Sequence, residues 1–444
     1  MNKFIKTILQ VFLIVLTAIT LIACGGGMEE ESVDAEGNTI VKIMFHVNES
    51  TPEGQAYKKR IDAFNLAYKD KKIKVSAKFE ARTTGASLYE TELMNSKIEG
   101  KLADIITFDA PNCASYASSG LLYKLDDLVP QETLDDFLSV STYNGSLYGL
   151  PIQESSAGFF YNKKIFAEAG IDVSRYTVDN PWTFAEFEDV CRRLKDFQNS
   201  HGYSKYVVDM RLDATKDETA MYMLYSFIYA AGGEFVSSDG YTATGYLDSA
   251  KTKNGFSFIK RLVDNAYTSY SIGSSDFFTG KMGLYLSSGW TIPQLDIEYA
   301  QFFPNGRDSW GILPYPKDVT SASATGSWCF GITDNGKADK SAAKELLLWL
   351  TSAESSEVIT NATGMIPARK SVAESVITPG SPEYVLYQQL SKTGKARPST
   401  VGYPKLSAVF SQIISEIKDS DVNGVVSNKV NALQSELDQL KKYQ

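Results

Sequence analysis

Two carboxylates and two tryptophans carry the most recognisable chemistry of this chain: Asp109, Glu154, Trp290 and Trp328. An indole face stacks on apolar C–H surface, and a carboxylate accepts two hydroxyl protons through charge-assisted bonds. Such groups suit non-covalent capture of a hydroxyl-rich ring. Each has a structural alternative. Asp109, just past a predicted strand end, could cap the segment after Pro111, and Glu154 could be a solvated loop residue. Trp290 could belong to the core, and Trp328 could pack a chain crossing. His46 and Glu49 end the first predicted strand, where a histidine reads as a neutral donor rather than a metal ligand. Arg211 and Tyr403 are further polar candidates on unanchored loops. Paired carboxylates also serve glycoside hydrolysis when roughly 5–10 Å apart across one bond. The enzyme rival is therefore a secreted lipoprotein glycosidase using Asp109 and Glu154 or another carboxylate pair.

Other chemistries are poorly supplied. Two histidines, His46 and His201, leave little for a metal enzyme. The four cysteines form no C-x-x-C pair, and Cys113, Cys191 and Cys329 read as small buried hydrophobes. Residues 419–424 (DSDVNG) match the first half of a calcium loop, but Val430 stands where a bidentate Glu is required, so a turn before the last helix is expected. Residues 273–281 are no phosphate loop, because Met282 stands where Ser or Thr must bind magnesium. No metal or cofactor is expected. Lys and Arg total 44 against 53 Asp and Glu, a net charge of −9, which argues against a nucleic-acid partner. With 43% hydrophobic and 22% charged residues the 444-residue chain is globular, and its 12% aromatic content suits a protein that stacks on something.

The first residues read as an address. Lys3 and Lys6 precede an uncharged run over 11–23, too short to span about 30 Å of hydrocarbon. Residues 1–23 therefore read as a signal peptide. Leu21-Ile22-Ala23-Cys24 resembles the bacterial lipobox, which implies cleavage before Cys24 and a diacylglyceryl group on its thiol. Acyl chains would hold the protein to the extracytoplasmic face of the cell membrane. Residues 24–39, glycine-rich and then acidic, read as a flexible tether.

These groups need elements to hold them. Residues 40–45 form a buried strand; Thr51 caps a helix with Pro52 in its first turn; Ile73, Val75, Ala77 and Phe79 alternate as a second strand. A helix over 89–98 and an apolar strand over 103–108 complete a β-α-β-α-β pattern. This is the pattern of an α/β protein with a mostly parallel, helix-covered sheet. Ligands gather beyond the carboxyl ends of such strands, here 46–49 and 109–110. Thr183 and Glu186 form a capping box, with Trp182 and Phe187 as a hydrophobic staple. Ala343, Leu346, Leu347 and Leu350 face one way on a later helix, and Val430, Leu433, Leu437 and Leu440 on the last. No linker follows residue 39, so lobes that exchange strands are expected.

The stretch from Tyr143-Asn144-Gly145-Ser146-Leu147-Tyr148-Gly149-Leu150-Pro151 through Glu154 to Phe160-Tyr161-Asn162-Lys163-Lys164 is similar to the extracellular solute-binding proteins of carbohydrate ABC importers, the maltose-binding-protein superfamily. Ala103-Asp104-Ile105, Phe278-Thr279-Gly280-Lys281-Met282-Gly283, Gly289-Trp290, Trp310-Gly311-Ile312-Leu313-Pro314 and Thr363-Gly364-Met365-Ile366-Pro367 continue the likeness in the family's order. The resemblance implies a two-lobe periplasmic-binding-protein-like (type II) α/β fold, each lobe a mostly parallel sheet flanked by helices, with three hinge crossings near 150–153, 324–328 and 366–372. Residues 40–151 plus 326–370 would form the N-lobe, and 152–325 plus 371–444 the C-lobe. It implies that Asp109 and Glu154 take acidic positions used for sugar hydroxyls and that Trp290 is the stacking tryptophan. Expected partners are a small carbohydrate and the transmembrane subunits of an ABC permease. The protein would be a monomer without enzymatic activity. A second rival keeps the fold and changes the cargo to a polyamine, an anion or a metal chelate. An anion would call for Arg or helix N-termini in the cleft, whereas the acids and tryptophans favour a neutral polyol or a cation.

Overall fold

Apolar, β-branched runs become the central strands. In the computed structural model, residues 32–82, 88–214, 218–273, 275–326 and 328–442 are described; the signal peptide and Cys24 lie outside them. The chain opens with β1 (Thr39–Phe45), β2 (Ile73–Phe79), β3 (Ile105–Asp109), β4 (Ser141–Tyr143) and β5 (Ser146–Pro151). Short β6 (Gln153–Glu154) leads to β7 (Ala157–Asn162), β8 (Val208–Asp209), β9 (Leu284–Ser288) and β10 (Trp310–Leu313). The chain returns through β11 (Ser323–Ala324) to β12 (Trp328–Ile332), then adds β13 (Ile366–Pro367) and β14 (Gly394–Lys395). One sheet has the order β2-β1-β3-β12-β5-β4 and the other β10-β7-β9-β8; β11 pairs with β14, and β13 with β6.

The α/β two-lobe class is as expected, but its sheets are mixed rather than mostly parallel. β1 runs parallel to β2 and β3, as helical crossovers require. β12 is antiparallel to both β3 and β5, because it enters the first sheet from the other lobe. β4 and β5 form a hairpin around Asn144-Gly145, both at positive φ, the pair a tight turn favours. In the second sheet only the β8–β9 pair is parallel.

Local signals held where they were strongest. The Thr51 side chain accepts from the Gly54 amide at the start of helix Pro52–Ala67. The Thr183–Glu186 capping box opens helix Phe184–Ser200, and Trp182 meets Phe187 edge-on at 4.9 Å between centroids. Ile43, Phe45, Phe64, Leu346, Leu347 and Leu350 share one core under the first sheet. Phe159, Phe187, Phe227, Phe258, Leu433 and Leu437 share another under the second. After β13, Ala373 and Ile377 join a core with Phe160 and Trp310. Cys113, Cys191 and Cys329 are buried thiols.

One expectation changes in detail and one is met. Residues 32–38, expected to end a flexible tether, fold back on β1: Asp34 accepts from the Glu36 and Asn38 amides, and the Ile40 amide donates to Ser32. In the acidic loop weighed for calcium, Asp421 instead accepts from the Gly424 amide at 2.8 Å and caps helix Val422–Lys441. Among the described residues no helix is long and apolar enough to cross a membrane.

Candidate functional site

Strand register brings distant residues side by side. Trp328, the first residue of β12, pairs with Asp109, the last of β3. Beyond the end of β1, His46 stacks flat on Trp328, with centroids 3.5 Å apart and planes within 3°. Tyr89 meets the same indole edge-on, and the Arg82 guanidinium stands 5.2 Å from its centroid. Burial, with Arg82 adding to it, depresses the His46 pKa, so the imidazole is a neutral stacking partner; its Nδ1 lies 3.0 Å from Thr107 Oγ1. The indole is thus fixed before any ligand arrives.

The second lobe supplies the facing groups. Helix Glu218–Ala230 is apolar on nearly all sides and packs between helices Ala250–Asp264 and Tyr403–Glu416. Glu218 and Tyr222, one turn apart, reach the cleft from its first turns. Trp290 follows Gly289 at the end of β9, half-buried, its ring 6.0 Å from that of Tyr222. Gly289 is needed there, because a Cβ would lie 2.3 Å from the Gly364 carbonyl oxygen. The Tyr222 hydroxyl donates to Ser155 Oγ at 2.7 Å, and Ser155 donates to the Gly326 carbonyl.

These groups surround a cavity of about 200 Å³ lined by Trp290, Trp328 and Tyr222, by Asp109, Glu218, Arg82 and Arg397, and by Gln153, Ser155 and Met365. Its charges are already engaged. Arg397 Nη1 and Nη2 donate to the two Asp109 oxygens at 2.8 and 2.5 Å, and Nη1 also donates to Glu218 at 2.7 Å. Tyr403 and Ser407 donate to the two Glu218 oxygens. Burial opposes the Arg397 charge, but the two carboxylates outweigh it and hold the guanidinium protonated. Burial also raises the Glu218 pKa, against the pull of Arg397. Arg82 pairs with Glu90 at 2.9 Å.

Parallel pairing of β11 with β14 sets Arg397 level with Gly326. Gly326 has φ +145°, and a Cβ there would lie 2.7 Å from Arg397 Nη2. Gly326→Ala should therefore displace the guanidinium and lower stability by about 1–3 kcal/mol. A urea-denaturation midpoint equal to wild type would refute this.

The structure brings Asp109, Trp290 and Trp328 to one cavity, with His46 behind Trp328. Asp109 is 5% exposed, and its side chain engages Arg397 and caps no helix. Glu154 lies elsewhere: it is 2% exposed, accepts from Ser139, and lines an adjoining cavity of about 570 Å³ that shares Gly326 and Arg397 with the first and has no aromatic ring. Glu49 is exposed beside Lys58. Arg211, at φ +57°, donates to the Tyr285 hydroxyl at 2.8 Å, and Tyr403 stands behind Glu218; neither lines the cavity. Sequence reading passed over Arg82, Glu218, Tyr222 and Arg397. Tyr222 hides in a largely apolar helix, and only Arg397-Pro398 offered a hint, a basic residue before a proline.

A family model described as bacterial extracellular solute-binding protein matches residues 59–386. A binding protein of Brucella abortus (strain 2308) is 23% identical over 338 residues, covering 72% of this chain and 75% of the relative. Among solved structures, the cyclic alpha-maltosyl-1,6-maltose binding protein of Arthrobacter globiformis superposes with TM-score 0.73 at 22% identity, over 90% of this chain and 99% of that one. The sugar-binding protein MalE of Xanthomonas citri gives TM-score 0.74 at 16% identity, over 91% and 99%. UgpB of Mycobacterium tuberculosis, solved with glycerophosphocholine, gives 0.70 at 18%, over 91% and 100%. At these identities the likeness establishes the fold.

Proposed function

Because the chain belongs to the family of bacterial extracellular solute-binding proteins, we propose that it captures a sugar or oligosaccharide between its lobes and delivers it to an ABC permease, held to the membrane by a lipid on Cys24. The observation that carries this reading is the cavity itself: two indoles and a phenol around a space whose two carboxylates are both engaged by one arginine, Arg397. Ring faces give a sugar its stacking surface, and the remaining polar groups meet its hydroxyls. The solved structures of a cyclic alpha-maltosyl-1,6-maltose binding protein and of a sugar-binding protein support a carbohydrate cargo. Glycerophosphocholine in another relative makes a phosphodiester the rival cargo. The three passages between lobes, at 150–153, 324–328 and 366–372, act as the hinge, between an N-lobe of 40–151 plus 326–370 and a C-lobe of 152–325 plus 371–444. Closure follows from contacts that exist on both lobes only when a ligand bridges them.

The glycosidase alternative needs two carboxyl groups facing one bond. Asp109 and Glu154 line different cavities, which weighs against that pair.

A thermal-shift and calorimetric screen of the full chain against maltose, longer maltodextrins, glycerophosphocholine and putrescine tests the reading. A sugar should bind, and Trp290→Ala should weaken it by about thirtyfold, roughly 2 kcal/mol, with the fold intact. Undiminished affinity in that variant would remove Trp290 from the site. Binding of glycerophosphocholine with no response to any sugar would replace the cargo.

A further inference from the structure

Arg397 occupies an unusual position. Its guanidinium lies between a carboxylate of one lobe, Asp109, and a carboxylate of the other, Glu218, and is 7% exposed. All three line the cavity where a ligand would sit. A buried acid, Asp109, and a half-buried one, Glu218, beside two indoles and a phenol would otherwise make a receptor for an organic cation, since ammonium groups favour both carboxylates and aromatic faces. Here the chain fills that position itself: Arg397 also stands 5.4 Å from the Tyr222 ring centroid, where a bound cation would lie. Its environment is built for the task. Gly326 leaves room for Nη2, and Tyr403 and Ser407 orient Glu218.

We propose that Arg397 sets the charge class of the cargo: acting as an internal counter-ion between Asp109 and Glu218, it makes the cleft a site for an uncharged polyol and turns amines away. The inference rests on the receptor reading and deepens it. Arg397 acts through the two carboxylates, so it is a specificity residue whose loss should create a new binding activity as well as weaken the old one.

The test uses the full chain as wild type, Arg397→Ala and Arg397→Lys, titrated with methylguanidinium and with putrescine against sodium chloride of equal ionic strength. Arg397→Ala should bind methylguanidinium saturably, at least about tenfold tighter than wild type, because two unpaired carboxylates receive it. Adding Asp109→Asn to that variant should abolish the gain. Arg397→Lys keeps a cation in place and should ignore both amines, as wild type does. The proposal falls if Arg397→Ala folds and shows no saturable amine binding, or if Arg397→Lys or wild type binds putrescine as well as Arg397→Ala does. Should Arg397→Ala not fold, Arg397→Gln takes its place with the same outcomes expected, and saturable putrescine binding by the wild type overturns the proposal by itself. The receptor reading is judged separately, by the sugar response of the wild type.

Discussion

Asp109→Ala should lower the unfolding free energy by about 3–5 kcal/mol, the usual penalty for removing one partner of a buried ion pair. The guanidinium it leaves behind is almost fully desolvated and retains only Glu218, whose oxygens are shared with Tyr403 and Ser407. Burial that was tolerable for a bidentate pair becomes unfavourable for a half-paired charge. Removing both charges should do less harm, because apolar groups of similar volume need no counter-ion. The double variant Asp109→Leu, Arg397→Met should therefore recover part of the loss. Urea denaturation followed by tryptophan fluorescence measures both. An Asp109→Ala protein within about 1 kcal/mol of wild type would show that the pair contributes no more than a surface ion pair.

The second large effect is a pH dependence. Burial lifts the Glu154 carboxyl from 4.5 to about 7, although the Ser139 hydroxyl and the Ser155 amide pull the other way. Folding therefore favours the protonated form. Below about pH 4.5 the group is neutral folded and unfolded, and it contributes no penalty. As pH rises toward 7 the unfolded chain ionises first and gains stability relative to the fold. The loss reaches about 3 kcal/mol above pH 7 and is constant beyond it. Glu154→Gln should match wild type near pH 4.5 and be more stable at pH 8 by up to that amount. A variant whose stability runs parallel to wild type across that range would contradict it.

Much of the scaffold could be read directly. Caps at Thr51 and Thr183, the alternation over 73–79 and the buried run before His46 are local signals, and the structure uses each as read. Placing an acid at a strand end likewise brought out Asp109, because chain direction in a β-α-β unit decides which end faces the crevice. What escaped reading is non-local. Arg397 lies 288 positions from the carboxylate it clamps, and no spacing rule connects them. The antiparallel entry of β12 depends on a return from the other lobe, which a strand-by-strand reading cannot see. Glu154 was a reasonable acid on a crossing segment, but β6 pairs with β13, and its side chain faces the other cavity.

In the proposed division into lobes the Asp109–Arg397 contact joins residues of opposite lobes, and this has a kinetic side. Widening the cavity by moving the lobes apart must separate two desolvated charges and return each to water before a guest larger than the present space can enter. Arrival of a long guest is then paced by that rupture and falls short of the encounter rate, while re-formation of the pair behind the guest lengthens its stay.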